Sequence, residues 1–107
     1  MTTPSDGLRE HRALIDACLR NRVPFCWHGP GTLLIAKAGI RAVLGDILSQ
    51  GFEISGLEGF ELESTDIHPR IDLIFDEAAR PGVAPSTVVD QWPADVWVDV
   101  TLRGRDS

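Results

Sequence analysis

Tyrosine is absent from this chain altogether, and cysteine occurs only twice. The missing tyrosine removes one common acid or base from any catalytic scheme. Cys18 and Cys26 make no CxxC pair, and a reducing compartment keeps such residues as thiols, so no disulfide framework is expected. Apolar runs are only a few residues long, far short of the roughly 20 that span a bilayer. The opening MTTPSDGLRE lacks the basic-then-apolar order of a signal segment. The expected location is cytoplasmic. Also missing are a P-loop with its GK dipeptide, an HExxH pair, an EF-hand loop and a Cys/His quartet. No catalytic residue, cofactor or metal site is therefore assigned from motifs.

What is present points to a folded domain. At 107 residues the chain is long enough for one hydrophobic core and too short for two, so residues 1–107 read as one domain, with 1–6 and 104–107 loose. An apolar content of 43% against 24% charged residues is that of a globular protein and argues against disorder. The formal charge of −6 is unevenly placed. Residues 1–50 carry six Lys/Arg against four Asp/Glu, whereas residues 51–100 carry two against eleven. An acidic field of this kind disfavours nucleic acid and anionic membranes and steers a basic partner towards the second half of the chain.

Ser5 or Asp6 can cap a first helix in which Leu8, Ala13, Leu14, Ile15, Cys18 and Leu19 share one side, ending near Asn21. The stretch VPFCWHGPGT, residues 23–32, is broken by Pro24, Gly29, Pro30 and Gly31, so only a short extended piece fits before a turn. Leu33–Ala36 fits either a buried strand or the start of a helix. From Ala36 a helical spacing takes over, with Ile40, Val43, Leu44, Ile47 and Leu48 on one side and Gly51 as the left-handed stop. Gly39 and Gly45 inside that stretch predict close packing against a sheet.

The stretch GFELESTDIHPRIDLIFD predicts an antiparallel hairpin. Phe60 and Leu62 alternate with Glu61 and Glu63, Ser64-Thr65-Asp66 turns the chain, and Ile71, Leu73 and Phe75 alternate after Pro69. Gly56 and Gly59 mark bends or bulges before it. Pro69 lacks a donor and belongs at a strand start or on an edge, so the second strand is placed from near Arg70. A short helix over residues 85–92 puts Val88, Val89 and Trp92 on one face, and Val96–Arg103 is the clearest strand. The expected fold is α+β: a mostly antiparallel sheet of three to four strands, two longer helices on one face and a short third helix.

If Phe60, Leu62, Ile71, Leu73, Phe75, Val96, Val98, Val100 and Leu102 point inward, the opposite face holds Glu61, Glu63, Asp72, Ile74, Asp76, Trp97, Asp99, Thr101 and Arg103. Carboxylates around one exposed tryptophan are the anchor and rim of a protein interface, and Glu61, Glu63, Asp72, Ile74, Asp76, Trp97 and Asp99 are the candidate partner-binding residues. The competing reading has Trp97 packed under the loop at 23–32 with the acids merely solvated. As a metal set, Glu61, Glu63, His68, Asp72 and Asp76 have donor atoms but no fixed geometry. Cys26 and His28 share a side of an extended chain about 6 to 7 Å apart, beyond direct proton transfer.

The small acidic α+β pattern, with GFELES…IHPRIDLIFD and the final VWVDVTL strand, resembles the immunity proteins of bacterial toxin systems. The resemblance implies a non-catalytic, stoichiometric inhibitor that binds a basic toxin domain and blocks its active site. Two other classes remain open. One is a small enzyme or ligand-binding domain with a pocket near Trp27, His28 and Trp92, and the other is an obligate homodimer that buries the Trp97 face.

Overall fold

The computed structural model describes residues 5–29, 31–63 and 66–103, with side chains from residue 10 onward. Three helices and five strands follow in the order α1 (Ser5–Asn21), β1 (Phe25–His28), β2 (Thr32–Ala36), α2 (Ile40–Ser49), β3 (Glu53–Glu63), β4 (Asp66–Asp76), α3 (Pro85–Val89) and β5 (Trp97–Arg103). All strand pairs are antiparallel and the sheet order is β1-β2-β5-β3-β4. The α+β class is as expected, with one strand more than the three to four anticipated. The addition comes from the hairpin β1–β2, which takes Leu33–Ala36 into a strand. Helix begins only after a 3-10 turn at Lys37–Gly39.

Helix α1 buries Ala13, Leu14, Ala17 and Cys18, but Leu19 is exposed. It starts at Ser5, inside the stretch expected to be loose, and the Ser5 and Asp6 side chains that were to cap it lie outside the described ones. Its end is a left-handed stop: Arg22 has φ 57° and the Val23 N–H donates back to the Cys18 carbonyl at 2.9 Å. Helix α2 buries Ile40, Val43, Leu44 and Ile47, leaves Leu48 exposed, and stops at Gly51 with φ 96°, where a side chain would be strained. The two helices are tied by Asp46. Its carboxylate accepts two hydrogen bonds from Arg20 at 2.8 and 2.9 Å, one from Asn21 at 3.0 Å and one from Gln50 at 2.8 Å. Those donors, Arg20 first, pull its pKa down to about 2.

The buried cluster lies between these helices and one face of the sheet, where Leu33, Ile35, Leu57, Phe75, Val98, Val100 and Leu102 meet α1 and α2. Val88, Val89 and Trp92 close one end from α3, sharing a face as expected, although the helix itself stops at Val89. Gly39 packs tightly, but on Val23: a Cβ there would lie 2.5 Å from a Val23 methyl. Gly45 packs on nothing within 4 Å, so the expected approach to the sheet is absent there.

Two irregularities decide which residues face the helices. Between β3 and β5, Ile54 pairs with Leu102 and Gly56 with Thr101, leaving Ser55 as the extra residue of a bulge. Between β3 and β4, Glu58 pairs with Ile74 and Gly59 with Arg70, so Ile71–Leu73 stand opposite a single step of β3. The helix-facing set is consequently Leu57 and Gly59, and Phe60 and Leu62 belong to the other face. Ile71 is expelled to solvent at 85% exposure instead of entering the core. Pro69 sits within β4, which begins at Asp66 and not at Arg70, and β4 is an edge strand, where a missing donor is tolerated. Ser64 and Thr65 of the anticipated turn lie outside the described residues.

Gly59 is the tight point of this arrangement. A Cβ built there would lie 2.8 Å from the Leu73 Cβ and 3.4 Å from the Trp92 ring. Gly59→Ala is expected to destabilise the fold by about 1–3 kcal/mol through overpacking, measured by urea unfolding; wild-type stability would show that β4 is free to give way.

Candidate functional site

The face opposite the helices can be read row by row from the strand register. One row crosses all five strands as Cys26, Leu34, Asp99, Glu58 and Ile74. The next runs Ala36, Trp97, Phe60 and Pro69, and a third carries Thr101, Gly56 and Asp76. Paired residues project to the same side of an antiparallel ladder, so these side chains share one surface.

That surface is concave. Strands β1 and β3 are separated by β2 and β5, a span of roughly 14 Å in a flat sheet. The rings of His28 in β1 and Phe60 in β3 nevertheless lie 6.4 Å apart, centre to centre. The sheet must curl for these side chains to meet, and the helices occupy its convex side. Curling also explains why Leu34 and Phe60, at 1% and 9% exposure, are buried although they stand outside the main cluster. Trp97, beside Phe60, is half-buried and not the freely exposed anchor anticipated; the exposed tryptophan is Trp27, whose ring edge meets His11 of α1 at 5.2 Å.

The candidate residues divide between two sides of the sheet. Ile74, Asp76, Trp97 and Asp99 are together on the concave face, joined by Glu58, which the sequence pattern did not single out. Glu61 is on the helix-side surface where the β3–β4 hairpin runs past the end of β5, and there Arg70 bridges it to Asp72. Glu63 lies near the hairpin end, 3.9 Å from His68. Thr101 stays with the concave face, whereas Arg103 is engaged with Glu53 at 2.6 Å and Glu77 at 3.5 Å.

Many of the acids outside the concave face are paired with arginine. Glu53, Glu61, Glu77, Asp46, Asp72 and Asp90 all take part in ion pairs with arginine. Among the described residues, Glu58, Asp76 and Asp99 take part in none. Glu58 and Asp99 are direct cross-strand partners, a like-charge arrangement that costs stability. Burial pushes the Asp99 pKa up, the Glu58 charge pushes it further, and His11 opposes the shift.

No family model, curated protein or solved structure matches this chain. Its site is therefore argued from geometry alone. Among the described residues no group of three or more His, Cys, Asp and Glu is placed to hold a metal ion. No side-chain hydrogen bond links Cys26, His28 and Asp99 among the described residues. Cys18 is wholly buried, and burial pushes its thiol up to about 11, away from the reactive thiolate form. Trp92 sits against Gly59 in β3, and Trp27 lies on β1. No helix among the described residues is long and apolar enough to cross a membrane.

The acidic pair has a measurable consequence. The folded state holds the Asp99 proton more tightly than the unfolded chain does. That contribution to stability is full below the ordinary carboxylate pKa and is lost as pH rises through the raised value. Asp99→Asn and Glu58→Gln are therefore expected to raise the thermal midpoint at neutral pH, with the gain shrinking below about pH 4. Midpoints that match wild type at every pH would mean that the two carboxylates do not interact.

Proposed function

We propose that this chain is a non-catalytic binding protein of the immunity type, which inhibits a basic bacterial toxin domain by receiving it on the concave sheet face. The observation that carries the reading is the set of carboxylates Glu58, Asp76 and Asp99, which take part in no ion pair among the described residues, on the face that also carries Trp97 and the half-exposed Ile74. Aromatic and aliphatic groups supply area to bury, and unpaired acids steer a cationic surface and fix its orientation. A toxin that acts on a polyanion carries cations around its active site, and a carboxylate row occupying that site blocks substrate without any chemistry. Ion pairing within the chain has already satisfied Glu61 and Asp72, and they lie on the helix-side surface, so they fall outside such an interface.

The charge pattern favours a foreign partner over a second copy on this face. Two copies meeting here would set Glu58 and Asp99 of one against the same acids of the other, an arrangement that self-repels.

Co-expression with a basic bacterial toxin domain, taken from the neighbouring gene where that gene encodes one, is the direct test. Wild-type protein is expected to restore growth, and the double variant Glu58→Lys, Asp99→Lys to fail while remaining folded. The purified double variant should bind about a hundredfold more weakly or worse, as expected when a desolvated charge pair is reversed. Undiminished protection by the double variant would remove the concave face from the interaction.

A further inference from the structure

The concave face is indented along the row Thr101, Gly56 and Asp76, because the middle member has no side chain. Strands β5 and β4 flank β3 there, so Thr101 and Asp76 stand roughly 10 Å apart with only backbone between them. A groove of about 340 Å³ results, with Gly56 as its floor, Thr101 and Asp76 on its two sides, and Glu58 and Ile74 one row along. The floor is held low by packing. A Cβ at Gly56 would lie 3.3 Å from the Phe75 carbonyl oxygen, tighter than ordinary contact.

The groove is charged as well as shaped. Glu58 and Asp76 take part in no ion pair among the described residues. Asp76 accepts one hydrogen bond, from the Ala78 N–H at 3.1 Å, which turns one carboxylate oxygen to the backbone and leaves the other for a further donor. Two other acid pairs that β3 makes with β4 or with the residue following it are each bridged by one arginine of this chain. Arg70 joins Glu61 to Asp72, and Arg103 joins Glu53 to Glu77. A guanidinium suits such pairs because its planar fork of N–H donors serves two carboxylates at once. Glu58 and Asp76 are diagonal neighbours across β3 and β4, about 7–8 Å apart, a span that one guanidinium bridges. Ile74, half-exposed beside Glu58, gives the aliphatic stem of an arginine an apolar wall to lie on.

We infer that the groove over Gly56 is an arginine site, taken by a side chain of the partner, whose guanidinium bridges Glu58 and Asp76 while its stem lies along Ile74. The inference rests on the reading of the concave face as a docking surface and names the group that anchors the partner there.

The test needs no toxin. The labelled full chain is titrated with acetyl-Gly-Arg-Gly-amide and followed by amide chemical shifts. Shifts at Gly56, Glu58, Asp76 and Thr101 are expected to saturate in the millimolar range, the lysine peptide to bind severalfold more weakly, and the neutral citrulline peptide not at all. Glu58→Gln and Asp76→Asn should each weaken arginine binding about tenfold. Thr101→Phe, at an exposed position that leaves the β3 backbone alone, should block the groove from β5. Shifts that fail to saturate, that are matched by the lysine or citrulline peptide, or that centre on Glu63 and Asp66 at the hairpin end would overturn the inference. Arginine binding here together with full protection by the Glu58→Lys, Asp99→Lys variant would remove the toxin reading and leave the arginine site. Lost protection without arginine binding would do the reverse.

Discussion

Leu73 and Trp92 close on β3 at Gly59, within distances that a side chain there would violate, and the placement of the central strands follows from that contact. Because the helix-facing position is glycine, the core reaches the β3 backbone itself and Leu73 fills the space a side chain would have taken. Phe60, the next residue, is turned to the opposite face, where it pairs with Trp97. The three-residue excess of β4 at Ile71–Leu73 delivers Leu73 inward and expels Ile71. One missing Cβ therefore sets both the core of the sheet and the composition of its outer face.

That outer face is where local energetics and fold pull apart. Elsewhere several acids are matched: Asp46 gathers Arg20, Asn21 and Gln50 to join α1 to α2, and Arg70 joins Glu61 to Asp72 across the hairpin. Glu58 and Asp99 face each other across neighbouring strands and take part in no ion pair among the described residues, and burial raises the Asp99 pKa further against the opposing charge of His11. A like-charge pair in the middle of a sheet lowers stability, and a cationic partner relieves it. The helix side has a different character, with Arg41 paired to Asp90 and Arg103 to Glu53 and Glu77.

Much of the fold was legible from residue spacing. The buried stripes of α1 and α2, the glycine stop at Gly51, the clustering of Val88, Val89 and Trp92, and the edge position of Pro69 all follow from periodicity or backbone chemistry. Leu33–Ala36 was ambiguous because a four-residue apolar run has no period to read. The faces of the β3–β4 hairpin were misassigned for a physical reason. Alternation is tracked through side-chain polarity, and at Gly59 the inward residue has no side chain, so the pattern starts one residue late at Phe60. The excess residues in β4 then hide a second reversal, since Ile71, Leu73 and Phe75 alternate in sequence but not in space. Trp97, Asp99, Ile74 and Asp76 were placed on one face correctly. Glu58 was missed because it precedes the clean alternation, and only its pairing with Asp99 reveals it.

The central claim is that a basic partner docks on the curled face and leaves the helices untouched. Amide chemical-shift mapping of the labelled chain, titrated with the proposed basic toxin domain, tests this most directly. The expected result is a set of perturbations confined to β3, β5 and the adjoining part of β4, strongest around Glu58, Trp97 and Asp99. Perturbations centred on α1 or α2, with those strands unchanged, would contradict it.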